Sequence, residues 1–257
     1  RSLKYFSTNG ENFNIYRTRD MAVWWLRHIY NSFNWWKAYV VNAEGERKDM
    51  PMLYIGERFG SAAGYKVNEA DIVLSAFEND QCIVNPESKG GAIFAVGYSN
   101  RGELFNSPDM YGIKTIVGNK YKGAGVTANQ SVTHNLKLMA EHALKNKCMK
   151  ATHQDIRSEI QTMKVLTLDR SRHKNLAETI SNLGATTILV KDDDLTPTFA
   201  AVRNEIDLIV GVGGVPEAVL SGIIVEQLGG EMSLRILPKE VALDELLIKK
   251  RKNWEYF

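Results

Sequence analysis

From residue 18 to residue 36 apolar side chains recur at helical spacing: Met21, Ala22, Trp24, Trp25, Leu26, Ile29 and Phe33. The spacing predicts one helix, carrying Trp24, Trp25, Trp35 and Trp36. A short strand-like run follows at Ala38–Val41, and residues 51–60 read as a second helix with Pro51 in its first turn. Beyond residue 70 the pattern turns strand-rich. Strands are predicted at 71–74, 92–97, 103–105 and 113–117, separated by Gly, Asn and Pro turns. Residues 119–130 are rich in Gly, Lys and Asn and mark a boundary, giving portions 1–128 and 129–257.

The second portion alternates more regularly. A helix over 132–145 precedes a strand at 165–168 and a helix at 173–182. A strand at 186–190 then leads to a helix from Pro197, and a strand at 207–210 to a helix over 217–228. Strands separated by helices of this length predict a parallel sheet with covering helices. The expected class is therefore α/β, in two α/β portions. Ligands of such sheets bind beyond the carboxyl ends of the strands, which selects the loops 169–172, 191–194 and 211–216.

Composition narrows the partners. Of 257 residues, 44% are hydrophobic and 24% charged, ordinary for a globular chain. No apolar run reaches the roughly 18 residues of a membrane span. The net charge of +2 gives no indication of nucleic acid. The cluster Lys249-Lys250-Arg251-Lys252 is a solvated face or a phosphate patch. Cys82 and Cys148 show no pairing pattern, which suits a reducing compartment, and no Cys or His pair has zinc spacing. The first eight residues, Arg1 to Thr8, are basic and hydroxyl-rich, and no acid occurs before Glu11. They read as the remainder of an organelle transit peptide, giving a mitochondrial matrix location, or as a truncated chain, with cytoplasm or plastid the alternatives.

Three segments of the second portion carry candidate chemistry. Gly211-Val212-Gly213-Gly214 lies between a strand and a helix, where backbone N–H groups either cradle a phosphate or merely turn the chain. Arg170 and Arg172 flank Ser171, and two guanidiniums there suit either a phosphate or surface ion pairs. Asp192-Asp193-Asp194 precedes Thr196-Pro197. These acids either satisfy a helix start or bind sugar hydroxyls or a hard cation. The first portion adds scattered carboxylates at Asp20, Glu44, Glu46 and Glu78, and spacing alone does not unite them.

Taken in order, several motifs resemble class II fructose-1,6-bisphosphatase, the GlpX-type sugar bisphosphatase, from about Tyr16 to Leu237. They include Pro51 to Glu57, Asn106 to Tyr111, Arg170-Ser171-Arg172-His173, the acidic loop 192–194, Gly211 to Glu217 and Leu228 to Met232. The resemblance implies a layered sugar-phosphatase fold and hydrolysis of fructose 1,6-bisphosphate or a related ester, with Mg²⁺ or Mn²⁺ as cofactor. It further implies Asp20, Glu44, Glu78 and Glu217 as metal ligands. Tyr111, Arg170, Arg172, Asp192, Asp194 and Gly214 would contact substrate, and self-association is common in the family.

Departures from the family pattern cluster at the implied metal site. Where the family reads Asp-Pro-Ile-Glu-Gly-Thr, this chain reads Ser75-Ala76-Phe77-Glu78-Asn79-Asp80. Ser75 thus replaces a carboxylate with a neutral hydroxyl. Asp80 and Glu78 are the remaining catalytic candidates, though Asp80 originates five residues away from the missing acid. The family's Gly-Asp-Lys segment appears as Asn14-Ile15-Tyr16, and the family continues past a point matching Leu237 with a segment shortened here. The expected function is therefore a degenerate phosphatase, catalytically impaired and kept as a structural or accessory subunit of a larger assembly, with a tryptophan-rich helix that either meets a protein partner or repacks the domain core. An active bisphosphatase and a non-catalytic sugar-phosphate sensor are the alternatives.

Overall fold

The computed structural model describes residues 15–43, 53–60, 68–78, 92–106, 110–191 and 193–238. The chain divides into two compact units, residues 1–109 and 110–257. The division falls earlier than the glycine-rich stretch at 119–130, because the strand at 111–117 pairs only within the second unit.

The first unit starts with helix α1 (Ile15–Asn31), followed by β1 (Trp36–Asn42), β2 (Arg58–Phe59), β3 (Asn68–Glu78) and β4 (Ile93–Asn100). The strands form one sheet in the order β2-β1-β3-β4, with β1 and β3 parallel and the outer pairs antiparallel. β3 is central, and its consecutive residues Ile72, Val73 and Leu74 are all buried, as expected of a strand covered on both faces. Val23 and Leu26 of α1 pack with Val40, Phe59, Ile72 and Leu74 in one core.

Three local expectations fail here. The four tryptophans do not share a helix: α1 stops at Asn31, Trp35 lies in the following bend, and Trp36 opens β1. Ser32 and Phe33 send their N–H groups back to the last turn of α1, and the chain then extends. Residues 53–60 form a turn and the short β2 instead of a helix. Gly56 and Gly60 adopt φ of +91° and +89°, which an α-helix does not contain, and Val40 bonds to both Gly56 and Glu57. Residues 101–104 form a turn and no strand. Gly102 takes φ +88° there, its N–H donates to Asp71 at 2.7 Å, and Glu103 accepts from the Asn100 N–H.

The second unit contains β5 (Tyr111–Val117), α2 (Val132–Asn146), α3 (His153–Gln161), β6 (Lys164–Leu168), α4 (Lys174–Asn182), β7 (Thr186–Val190), α5 (Leu195–Val202), β8 (Leu208–Gly214), α6 (Val215–Leu228) and β9 (Glu231–Ile236). Its sheet has the order β7-β6-β8-β5-β9. β7, β6, β8 and β9 run in one direction, and β5, inserted between β8 and β9, is antiparallel to both its neighbours. The three strands expected to form a parallel sheet, β6, β7 and β8, do so, and β5 and β9 extend it into a mixed sheet.

Alternation along the strands sets the layers. Val117, Val165, Leu208 and Val210 pack against α2, Ile160, Leu176 and Ile180. Their neighbours Ile116, Leu166 and Ile209 pack on the other side with Ala201, Val202 and Val225. Helices α2, α3 and α4 therefore cover one face, and α5 and α6 the other. Caps fix the helix starts: Ser131 accepts from the His134 N–H, and Thr152 with Asp155 forms a capping box.

Candidate functional site

β8 outruns β6. The two pair at Val165 with Leu208 and at Leu166 with Ile209, while β8 continues to Gly214 against β5. Gly211 to Gly214 is consequently the end of a strand and not a free loop, and α6 starts at Val215 without an intervening turn. Across the ladder Tyr111 faces Gly214 and Lys114 faces Gly211.

The glycines make room for side chains arriving from elsewhere. A Cβ on Gly213 would lie 2.9 Å from Asp194 Oδ2, and one on Gly211 would lie 3.2 Å from Thr167 Oγ1 and 3.3 Å from the His173 ring. One on Gly214 would overlap the Glu217 carboxylate, which folds back over the first turn of its own helix. Gly214 has φ −67°, so close approach, not an unusual backbone, requires glycine there.

Arg172 reaches the same strand end. Its Nη2 donates to Val212 O at 2.9 Å, and its guanidinium carbon lies 5.7 Å from the Tyr111 ring centroid. Its Nε is buried and makes no hydrogen bond among the described residues. Arg170 is exposed and lines an open groove of about 860 Å³, together with Asp169, Ser171, Lys174 and Thr187. Arg172 does not line that groove, so the two arginines of the motif face different surroundings.

The acidic loop separates into distinct roles. Asp193, at φ +90°, accepts from the N–H groups of Leu195 and Thr196 at 2.9 Å each and so caps α5. Asp194 instead meets the Lys114 ammonium, Nζ to Oδ1 2.8 Å. Lys114 is 3% exposed and lies two residues before Ile116, on the face covered by α5 and α6. Asp192 lies outside the described residues. Lys114 escaped the sequence reading, although a lysine inside the apolar stretch Ile113–Val117 was a usable signal.

His173 is the second group missed. It closes the 3₁₀ turn Ser171–His173 that follows β6 and is 1% exposed. Its Nε2 accepts the Val212 N–H at 2.8 Å and its Nδ1 sits 3.0 Å from Leu168 O. Burial pushes its pKa down to about 4, with the positive charge of Arg172 acting in the same direction.

Of the carboxylates implied as metal ligands, Asp20 is exposed on α1. Glu78 is buried at the end of β3, three residues after the buried Ser75. The β3–β4 register shifts between them, so that Ser75 faces Ala95 and Glu78 faces Ile93. Glu217 belongs to the second unit, while Glu44 and Asp80 lie outside the described residues. Among the described residues no three His, Cys, Asp or Glu side chains gather as a metal site.

The chain matches the family model described as bacterial fructose-1,6-bisphosphatase, glpX-encoded, over residues 14–254. It is 29% identical over 222 residues to the class 2 fructose-1,6-bisphosphatase of Haemophilus influenzae, covering 86% of this chain and 61% of that one. It is 31% identical over 209 residues to the D-fructose 1,6-bisphosphatase class 2/sedoheptulose 1,7-bisphosphatase of Crocosphaera subtropica, covering 77% and 56%. Identity to fructose-1,6-bisphosphatase 1 class 2 of Escherichia coli K12 is 30% over 202 residues, covering 78% and 54%. The chain thus spans less than two thirds of the length of these relatives.

Proposed function

The chain belongs to the family of bacterial, glpX-encoded fructose-1,6-bisphosphatases, and from that premise we propose that its second unit binds a sugar phosphate while hydrolysis at its metal centre is impaired. The observation that carries the impairment is Ser75, buried on β3 three residues before Glu78. The resemblance places a carboxylate there. A seryl hydroxyl offers one neutral oxygen, whereas Mg²⁺, which gives up water reluctantly, is held chiefly through carboxylates and phosphates. The resemblance implies Asp20, Glu44, Glu78 and Glu217 as the remaining ligands of Mg²⁺ or Mn²⁺, one acid fewer than the family pattern supplies.

Binding is supported by the strand end of β8. The buried Nε of Arg172, the Tyr111 ring and the backbone at the start of α6 lie together there, and cationic and N–H donors suit a phosphoryl group. Lys114 holds Asp194 beside them, where a carboxylate can accept from a sugar hydroxyl. An accessory role in a larger assembly, such as a mitochondrial one, is supported by exposed aromatics in the first unit: Trp24, Trp25 and Trp35 are 57%, 47% and 60% exposed.

The test is phosphate release from fructose 1,6-bisphosphate with Mn²⁺ or Mg²⁺, beside a Glu217→Ala control. The proposal expects release at the level of the control, together with measurable sugar-phosphate binding. Release at an ordinary enzymatic rate, abolished by Glu217→Ala, would instead make the chain an active bisphosphatase that tolerates Ser75.

A further inference from the structure

The Val212 N–H and carbonyl are both held by adjacent residues of one turn. β6 ends at Leu168, which the register brings level with Gly211, so from Val212 onward β8 has no β6 residue beside it on that side. His173 and Arg172 take the strand's place: the Val212 N–H donates to His173 Nε2 at 2.8 Å, and the Val212 carbonyl accepts from Arg172 Nη2 at 2.9 Å. Because Nε2 accepts, it carries no proton. The imidazole proton therefore sits on Nδ1 and donates to Leu168 O at 3.0 Å. Only the neutral Nδ1–H tautomer satisfies both bonds. Imidazolium would turn a donor toward the Val212 N–H and add a positive charge beside Arg172.

Resting on the sugar-phosphate reading above, we propose that His173 is a positioning residue of the ligand site. Its neutral Nδ1–H imidazole fixes the Val212 peptide so that the carbonyl steers Arg172 toward Tyr111 and Gly213-Gly214 lead straight into the N-terminus of α6. The ring also occupies the space that Gly211 leaves by lacking a Cβ. It touches no ligand itself and acts through Arg172 and the β8 backbone. Burial agrees with this state, since a pKa near 4 keeps the ring neutral across the physiological range.

Two measurements test this on the full chain. In the first, nitrogen NMR of the imidazole reports its tautomer in the wild type. The expected result is one protonated and one unprotonated ring nitrogen, unchanged down to about pH 5. Titration near pH 6.5, with both nitrogens protonated below it, would overturn the proposal. The second measures calorimetric affinity for fructose 1,6-bisphosphate in the wild type, His173→Gln, Arg172→Gln and the double variant, with thermal melts of each. Positioning predicts about tenfold weaker binding in His173→Gln while it is still folded, and no further loss on adding it to Arg172→Gln. Unchanged affinity in the folded variant, or losses that simply add, would show a structural role only and overturn it. If the wild type itself fails to bind while the tautomer result holds, the sugar-phosphate reading falls and takes the ligand-site role with it.

Discussion

Replacing Asp194 with Asn strands the Lys114 ammonium inside the second unit. The pair meets at 2.8 Å, with Lys114 3% and Asp194 13% exposed, so water reaches neither partner well. At an effective dielectric constant of about 20, the attraction over that distance is roughly 6 kcal/mol, most of which offsets the desolvation of the two charges. Removing one partner leaves the desolvation cost with nothing against it. Asp194→Asn is therefore expected to destabilise by about 3–5 kcal/mol. Exchanging both, as Lys114→Met with Asp194→Asn, removes the stranded charge and should recover all but about 1–2 kcal/mol of the loss. Urea unfolding followed by far-ultraviolet circular dichroism measures all four proteins of the cycle. A single-variant cost below about 1 kcal/mol, or a double variant whose loss equals the sum of the singles, would refute the buried-pair reasoning.

Two further outcomes follow from the same strand end. His173 has a folded pKa of about 4, below the roughly 6.5 of an unfolded histidine, so its contribution is complete above pH 6.5 and is lost as pH falls toward 4, on the order of 3 kcal/mol. The stability gap between the wild type and His173→Gln should accordingly narrow between pH 7 and 4.5 in urea titrations; a gap independent of pH contradicts the assignment. Gly214→Ala should cost about 1–3 kcal/mol in thermal melts, because its methyl overlaps the Glu217 carboxylate, and Glu217→Ala should relieve most of that loss. A Gly214→Ala loss unaffected by Glu217→Ala would place its cause elsewhere.

The layers of the second unit were legible because each buried strand and each helical stripe carries its own period. The repeating strands β6, β7 and β8 are parallel as the pattern suggested, but strand order carries no such local signal, so the joining of β5, antiparallel, and of β9 to the same sheet was not legible. α3 was missed because its apolar positions are few, although Thr152 and Asp155 already spelled a capping box. In the first unit, aromatic density masked the end of α1: Tyr30, Phe33 and Trp36 pack on one another across the change from helix to strand. The glycines at 56, 60 and 102 acted as breakers by their backbone angles, which apolar spacing does not report.

At the site, residue types were legible and their partners were not. Three consecutive aspartates read alike in the sequence, yet Asp193 turns to the backbone of α5 and Asp194 to Lys114 from a strand some eighty residues earlier. His173 stood inside a recognised motif without a role, since its partners Leu168 and Val212 meet it only once β6 and β8 are side by side.

The most direct test of the central claim is to restore the missing charge at position 75. Phosphate release from fructose 1,6-bisphosphate with Mn²⁺ would be compared between the wild type, Ser75→Asp and Ser75→Asp with Glu217→Ala. The account predicts near-background release from the wild type, a gain of at least about tenfold in Ser75→Asp, and its loss in the double variant. A wild type already working at an ordinary enzymatic rate, with Ser75→Asp no faster, would contradict it.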